Sequence, residues 1–237
     1  MKNIRNACKL QPNALEINVG DQIEQLDQII HVTDGSEYFG KTFITEGMKI
    51  LLTKGMARLA GKSNDTVFHL KQAMGGGKTH LMVGFGLLAK DAALRNQKIG
   101  EIPNQGGFST AKIAAFNGRN NPQTYLWGEI ARQLGKASLF KEYWESGAKA
   151  PDESAWLKLF EGDKPVLILL DEMPPYFHYY STQVLGQGTI ADVITRAFSN
   201  MLTAASKKKN VCIVVSALEA AYDTGGKLIQ NMGENQG

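Results

Sequence analysis

Cysteine is nearly absent: Cys8 and Cys212 are the two in 237 residues, far apart and in no Cys-x-x-Cys arrangement. That argues against a disulfide framework or a cysteine-based zinc site. Charge of one sign is also lacking, with 26 Lys and Arg against 23 Asp and Glu, a net +3 and a pI near 8.7. So mild an excess gives no evidence of a nucleic-acid-binding surface, and the one basic run, Lys207-Lys208-Lys209, reads as a solvated turn. No stretch approaches the about 18 apolar residues of a membrane-spanning helix. The start, Met-Lys-Asn-Ile-Arg-Asn-Ala-Cys-Lys, has no apolar core of a signal peptide. Internal repeats and low-complexity tracts are missing. These absences lead us to expect a soluble cytoplasmic protein without a membrane partner. What is present is a chain that is 43% hydrophobic, enough for a substantial core in one large domain.

The most informative stretch runs from Thr66 to Lys90. Val67 to Leu70 is a short apolar run suited to a buried strand. Gly75-Gly76-Gly77-Lys78-Thr79 follows, and from His80 the pattern turns helical. Strand, glycine loop, Lys-Thr and helix is the order that cradles phosphate. Glycines let several backbone N–H groups converge on one anion, and the helix start adds its unpaired N–H groups and the positive end of its dipole. In this reading Lys78 reaches the β- and γ-phosphates and the Thr79 hydroxyl ligates Mg²⁺. The pattern G-x-x-x-x-G-K-[ST] asks for a glycine where Gln72 stands. For the loop alone, a glycine-rich turn that binds nothing is the alternative.

A second motif is Val166-Leu167-Ile168-Leu169-Leu170-Asp171-Glu172, introduced by Lys164-Pro165. Its apolar run predicts a strand buried on both faces, as in the middle of a parallel sheet. Carboxylates at the C-terminal end of such a strand sit where open α/β sheets bind ligands. Asp171 takes the role of Mg²⁺ ligand, and Glu172 that of the base that polarises an attacking water. A plain buried strand ending in an acidic turn is the alternative here. The two motifs support each other.

The remaining chain fills in around them. Residues 1–40 are polar and weakly periodic, with Asp34-Gly35-Ser36 a turn signal. A helix is predicted from Thr45, its cap, with Met48, Leu51, Leu52, Met56 and Leu59 on one side and Gly61 as its stop. After the loop a helix is expected from Lys78 to about Ala93, where Gly84 and Gly86 cost about 1 kcal/mol each against Ala and call for close packing. Lys112–Phe116 reads as a strand, Asn117–Pro122 as a turn, and residues 123–134 as a helix. Phe140, Tyr143, Trp144, Trp156 and Phe160 read as core on short helices. The segment Met173–Tyr180 reads as a packed aromatic loop in which Pro174 and Pro175 stop the strand, with base stacking or a partner contact as alternatives and His178 structural. Thr189–Ser206 is the clearest amphipathic helix. Val211–Val215 is a fourth buried strand, ending at Ser216.

Strands near 66, 112, 166 and 211 alternating with helices predict an α/β fold with a mainly parallel central sheet and right-handed crossovers. With the acidic strand separate from the loop strand, the arrangement resembles the P-loop NTPase three-layer sandwich of the additional-strand class, whose central strand order is 5-1-4-3-2. The fifth strand is not visible in the sequence. Residues 1–60 read as an N-terminal polar segment and helix, and residues 61–237 as the ATPase core, the N-terminal part of a longer ATPase.

Several stretches carry a resemblance. Tyr38-Phe39, Thr42-Phe43-Ile44-Thr45-Glu46-Gly47, Gln72-Ala73-Met74-Gly75-Gly76-Gly77-Lys78-Thr79-His80, Leu126-Trp127-Gly128-Glu129-Ile130-Ala131 and Leu170-Asp171-Glu172 resemble large bacterial and archaeal P-loop ATPases of phage-defence islands. These AAA-like proteins are known as a domain of unknown function, often beside DNA methyltransferases, with relatives in BREX-type systems. The group writes its loop Gly-Gly-Gly-Lys-Thr-His, which accounts for Gln72. The resemblance implies ATP contacts from Met74, Gly75, Gly76, Gly77, Lys78, Thr79 and His80, and Mg²⁺ held by Thr79 and Asp171. It implies catalytic roles for Lys78, Glu172 and Ser216, the last at the sensor position of AAA-type ATPases. A serine that merely caps its strand fits Ser216 equally well. Homo-oligomers, defence-system proteins and DNA enter as partners through the resemblance alone; the family's arginine finger and C-terminal regions have no counterpart here.

The expected function is ATP binding with hydrolysis. The alternative is a nucleotide-gated assembly module that hydrolyses only with a partner subunit or its C-terminal region. A small-molecule kinase is disfavoured, because a glutamate beside Asp171 points to water as the acceptor.

Overall fold

A computed structural model of the chain describes residues 26, 29, 35–71, 77–98 and 107–217. Four strands form one parallel sheet: β1 (Val67–Lys71), β2 (Lys112–Asn117), β3 (Val166–Asp171) and, after a two-residue-per-strand hairpin of β4 (Val184–Leu185) and β5 (Gly188–Thr189), β6 (Val211–Ala217). The order across the sheet is β1-β6-β3-β2. In chain order that is first, fourth, third, second, the 1-4-3-2 portion of the order expected from the sequence.

The central strand explains the layering. All six residues of β3 are buried, because it has a neighbour on each side and helices over each face. Side chains alternate across a strand. Val166, Ile168 and Leu170 therefore enter one core with Ala114, Phe116, Val211, Ile213 and Val215, while Leu167 and Leu169 enter the other with Ile113, Ala115, Cys212 and Val214. The first core is covered by α5 (Leu126–Gln133), α6 (Glu153–Leu159), α7 (Met173–Ser181) and α8 (Ile190–Ser206), together with a 3₁₀ segment, Ala137–Tyr143. The second is covered by α1 (Ser36–Lys41), α2 (Glu46–Leu59), α3 (Lys78–Lys90) and α4 (Ala92–Gln97). Helix α2 belongs to this second layer, packed with α3 rather than standing apart from the sheet.

Local rules account for most of the elements. The Thr45 hydroxyl accepts from the Met48 N–H, and Gly61 follows the helix at φ +72°, so α2 starts and stops where the sequence places its signals. Met48, Leu51, Leu52, Met56 and Leu59 are all buried. Helix α8 opens on a capping box between Thr189 and Asp192 and buries Ile194, Ala197, Phe198, Met201 and Leu202. Gly84 and Gly86 repay their helix cost by contact: a Cβ on Gly84 would lie 2.7 Å from the Tyr38 hydroxyl, and one on Gly86 would lie 2.2 Å from Ile29 Cδ1.

Two buried arginines tie separate segments together. Arg58, 3% exposed, donates to the carbonyls of Val211 (2.8 Å), Ser63 (3.0 Å), Ala205 (3.0 Å) and Lys208. It anchors the turn between α8 and β6, so the Lys207–Lys209 run contributes a backbone carbonyl and leaves the Lys207 and Lys209 side chains exposed. Burial lowers the Arg58 pKa, from a value high enough that the guanidinium stays charged. Arg95 does the same for the segment before β2, donating to Leu88 (2.5 Å), Ala89, Phe108 and Ser109 carbonyls. On the outer side of β2, the Gln133 amide accepts from the Ala115 N–H at 2.6 Å and donates to its carbonyl at 2.9 Å. That side chain blunts an open strand edge.

Four expectations need correction. The helix after the glycine loop ends at Lys90, and Asp91 caps a separate α4 by accepting from the Ala93 and Leu94 N–H groups; a carboxylate that bonds the local backbone competes with helix continuation. The aromatic stretch after Glu172 is helix α7, not a loop. Pro174 and Pro175 lie in its first turn, where a missing N–H costs nothing, so they start a helix as well as stop a strand. Strand β1 is only half-buried, since among the described residues it has a single neighbour, β6. Residues 36–41 form α1, where weak periodicity gave no helix; its anchor is tertiary, as the site shows.

Candidate functional site

The parallel register brings the strand ends to one edge. Asn117 stands opposite Asp171, and Leu170 opposite Val215, so Asp171 and Ser216 emerge at the same level. Asp171 is 1% exposed and Ser216 3%. A buried carboxylate needs its lone pairs met. Oδ1 accepts from the Ser216 hydroxyl and from the Glu172 N–H at 3.0 Å, and Oδ2 accepts from the Thr79 hydroxyl at 2.5 Å. Three residues singled out in the sequence, from three separate segments, thus meet at one carboxylate.

Thr79 arrives there because α3 begins directly above this edge. Gly77 precedes the helix at φ +71°, ψ 22°, a left-handed conformation that favours glycine. Lys78 and Thr79 occupy the first turn, and Lys78 is 8% exposed. Met74, Gly75 and Gly76 lie outside the described residues, as does Gln72. His80 turns away from the sheet toward α1. Its ring stacks on Tyr38 at 4.4 Å and 29°, and the Tyr38 hydroxyl donates to the His80 carbonyl at 2.6 Å. The Thr42 hydroxyl donates to the Tyr38 carbonyl at 2.7 Å and lies 2.9 Å from His80 Nε2. With the hydroxyl's one hydrogen so used, Nε2 is the protonated nitrogen and donates to Thr42. His80 therefore holds α1 on the first turn of α3, a connection between residues whose separation in sequence hid it.

Glu172 has the one positive φ among described non-glycine residues, +52°. Such a residue costs about 1–3 kcal/mol and persists where its surroundings over-determine it. Those surroundings are visible. The Gly118 N–H donates to the Asp171 carbonyl at 2.9 Å, and a Cβ at Gly118 would come within 2.7 Å of the Glu172 carbonyl oxygen. Only glycine fits there. Below the turn, the Tyr176 hydroxyl donates to the Thr124 carbonyl at 2.9 Å and accepts from the Leu126 N–H at 3.0 Å; burial pushes its pKa well above the usual phenol range. The Glu172 carboxylate receives Arg119 Nη2 at 3.1 Å. Arg119 sits in a turn fixed by Asn117, whose Oδ1 accepts from the Arg119 and Asn120 N–H groups at 3.0 Å each.

Arg119 and Asn117 stand outside the quoted motifs, and Tyr38 and Thr42, which lie in stretches that carry the resemblance, have no role assigned by it. The turn signal of Asn117–Pro122 located a connection without saying what its arginine faces; the adjacency of β2 and β3 would have found it. His178 lies on α7, exposed. Among the described residues no group of three or more His, Cys, Asp or Glu converges as a metal cage. No described helix is long and apolar enough to cross a membrane.

Chemically, the edge offers a hydroxyl and a carboxylate oxygen side by side, with a buried lysine one residue before the hydroxyl in the chain and a second carboxylate one residue after the first. Hard oxygen donors suit Mg²⁺, which is usually bound by one or two protein oxygens together with substrate phosphates.

Among curated proteins, none matches the chain significantly. A model of the DUF499 N-terminal domain matches residues 6–101 and 115–234. By a match over so much of its length, this chain belongs to the DUF499 N-terminal domain family.

Proposed function

We propose that this chain binds and hydrolyses ATP as an AAA-like P-loop module, and that it serves phage defence, the second part resting on its resemblance to phage-defence ATPases alone. The observation that carries the first part is the 2.5 Å contact between the Thr79 hydroxyl and Asp171. It joins the Lys-Thr motif, in the first turn of α3, to the Asp-Glu motif at the end of β3, at the C-terminal edge of a parallel sheet. In this reading the N–H groups from Gly75 to Thr79 and the Lys78 ammonium hold the phosphates, and Thr79 and Asp171 would hold Mg²⁺. Such an ion, once bound, neutralises phosphate charge. Glu172 takes a proton from water as the water oxygen bonds to the γ-phosphorus. The bond from that phosphorus to the β,γ-bridging oxygen breaks, giving ADP and phosphate. Ser216 keeps Asp171 oriented through its hydroxyl.

A second reading, nucleotide binding with hydrolysis gated by a partner, is favoured by one observation: Glu172 is already engaged by Arg119. Titration of the chain with a fluorescent ATP analogue tests the shared part. Saturable binding that weakens by about tenfold when Mg²⁺ is chelated is the expected result, the scale of about 1.4 kcal/mol. Absence of binding, or binding indifferent to Mg²⁺ and to competing unlabelled ATP, would remove both readings.

A further inference from the structure

We infer that the N-terminal edge of the sheet, at the far end from Asp171, is a basic surface that holds the phosphate backbone of a nucleic acid without reading its sequence. The inference uses none of the residues of the nucleotide-binding reading.

The fold gathers lysines that the sequence scatters. Lys62 precedes β1, Lys207, Lys208 and Lys209 precede β6, Lys164 precedes β3, and Lys112 opens β2. Because the strands are parallel, these entrances all lie at one edge. Backbone bonds bring them level: the Lys112 N–H donates to the Pro165 carbonyl at 2.8 Å, and the Val166 N–H to the Asn210 carbonyl at 3.0 Å. Arg58 donates to the carbonyls of Ser63 and Lys208 and so fixes the turns before β1 and β6. The acids in these turns are Asp65, Glu161 and Asp163, and Glu153, from α6, pairs with Lys207 at 2.5 Å. A net charge of +3 over the whole chain thus conceals an excess of cations at one end.

Some of these ammonium groups are held in place and others are available. Lys136 donates to the carbonyls of Lys158 (3.0 Å), Leu159 (3.1 Å) and Glu161 (2.6 Å), and Lys112 donates to the Leu134 carbonyl at 3.4 Å. The Lys136 pKa is lowered, by burial first and then by nearby Lys112, with Lys208 adding to the effect and Glu161 opposing it. Like charges fixed this close are relieved by an anion. Lys62, Lys164 and Lys209 are exposed and make no hydrogen bond or ion pair among the described residues.

Shape and chemistry select the ligand. Neighbouring strands are about 4.8 Å apart, so four entrances form a line about 15 Å long. A line suits a chain of phosphates better than a single anion, and duplex DNA carries one charge per about 1.7 Å of its axis. Lysine is a point charge on a flexible stem, whereas arginine presents the fork that reads a base edge. Arg58, the arginine beside these turns, is buried with its donors on carbonyls. Contacts of the lysine kind position a backbone without specifying its bases. An anionic membrane is disfavoured, because surface binding there buries apolar side chains as well. The exposed large apolar side chains among the described residues, Phe43, Ile50, Leu139, Val184 and Leu185, lie outside these turns.

Fluorescence anisotropy of a labelled, mixed-sequence DNA duplex tests the inference. It is titrated with the native chain, with Lys164→Gln/Lys209→Gln, and with the charge-matched Lys54→Gln/Lys141→Gln, whose lysines stand outside the strand entrances. Native binding is expected to fall with added KCl along a log–log slope of about −3, the counterion release of about three phosphates. Lys164→Gln/Lys209→Gln should weaken binding about tenfold or more at about 50 mM salt and flatten the slope toward about −1. The control pair should stay within about twofold of native. A second duplex of unrelated sequence should bind equally. No binding at about 50 mM salt, a salt-independent affinity, equal losses in the two pairs, or a strong preference between duplexes would overturn the inference. So would binding to phosphatidylserine vesicles under conditions where the duplex stays free. Both pairs should bind the fluorescent ATP analogue as the native chain does, so loss of duplex binding leaves the nucleotide-binding reading to its own test.

Discussion

Lys78→Ala should lose ATP binding while the chain stays folded. Lys78 is buried in the first turn of α3, beside the Thr79–Asp171 contact. In the proposed complex its ammonium serves two phosphates. Charge-assisted hydrogen bonds contribute about 1.5–3 kcal/mol each, so removing both predicts binding weaker by roughly 100-fold or more. Truncating a buried side chain can also loosen the helix start. Lys78→Met, which keeps the stem and drops the charge, separates the causes. Both variants should melt cooperatively and fail to bind a fluorescent ATP analogue. Normal binding by either folded variant would show that the phosphates sit elsewhere.

Glu172→Gln should keep ATP and stop turnover. The amide retains the size of the side chain and tolerates the same backbone, so the turn after β3 has no reason to move. What goes is the ability to take a proton from water. General-base catalysis contributes typically 10²–10⁴-fold, and a turnover rate lowered by roughly that factor, with ATP affinity at or above native, is the expected outcome of a phosphate-release assay. The comparison is made at matched, saturating ATP. Native-like turnover in Glu172→Gln would assign the proton transfer to another group. If the native chain turns over only when concentrated or mixed with a partner, the gated reading holds and the same variant is assayed in that assembly.

Much of this site was legible because its chemistry is local. Five apolar residues before Asp171-Glu172 can hardly be anything but a central strand, and β3 is buried along its length. Helix α8 was readable from periodicity and from a cap four residues deep, Thr189 to Asp192. Helix α7 was not, because proline has opposite meanings at the end of a strand and in the first turn of a helix. The break at Asp91 turned on one side chain choosing two backbone N–H groups over continuation of α3. The roles of Arg119, Tyr38 and Arg58 were not legible for a different reason: each acquires its role from a neighbour more than 40 residues away. Composition and spacing describe a residue's own segment, whereas these three report how segments stack. His80 shows both sides. Its place after Lys78-Thr79 marked it as a phosphate-side residue, while its ring is held by α1.

In the proposed complex Thr79 and Asp171 share a cation with a triphosphate. Electron paramagnetic resonance of Mn²⁺ with ATP tests it most directly, with the native chain beside Thr79→Ala and Asp171→Asn. An immobilised Mn²⁺ signal is expected that needs both ATP and the native chain, and that is lost in each variant while far-ultraviolet circular dichroism is retained. An immobilised signal that survives in both folded variants would contradict it.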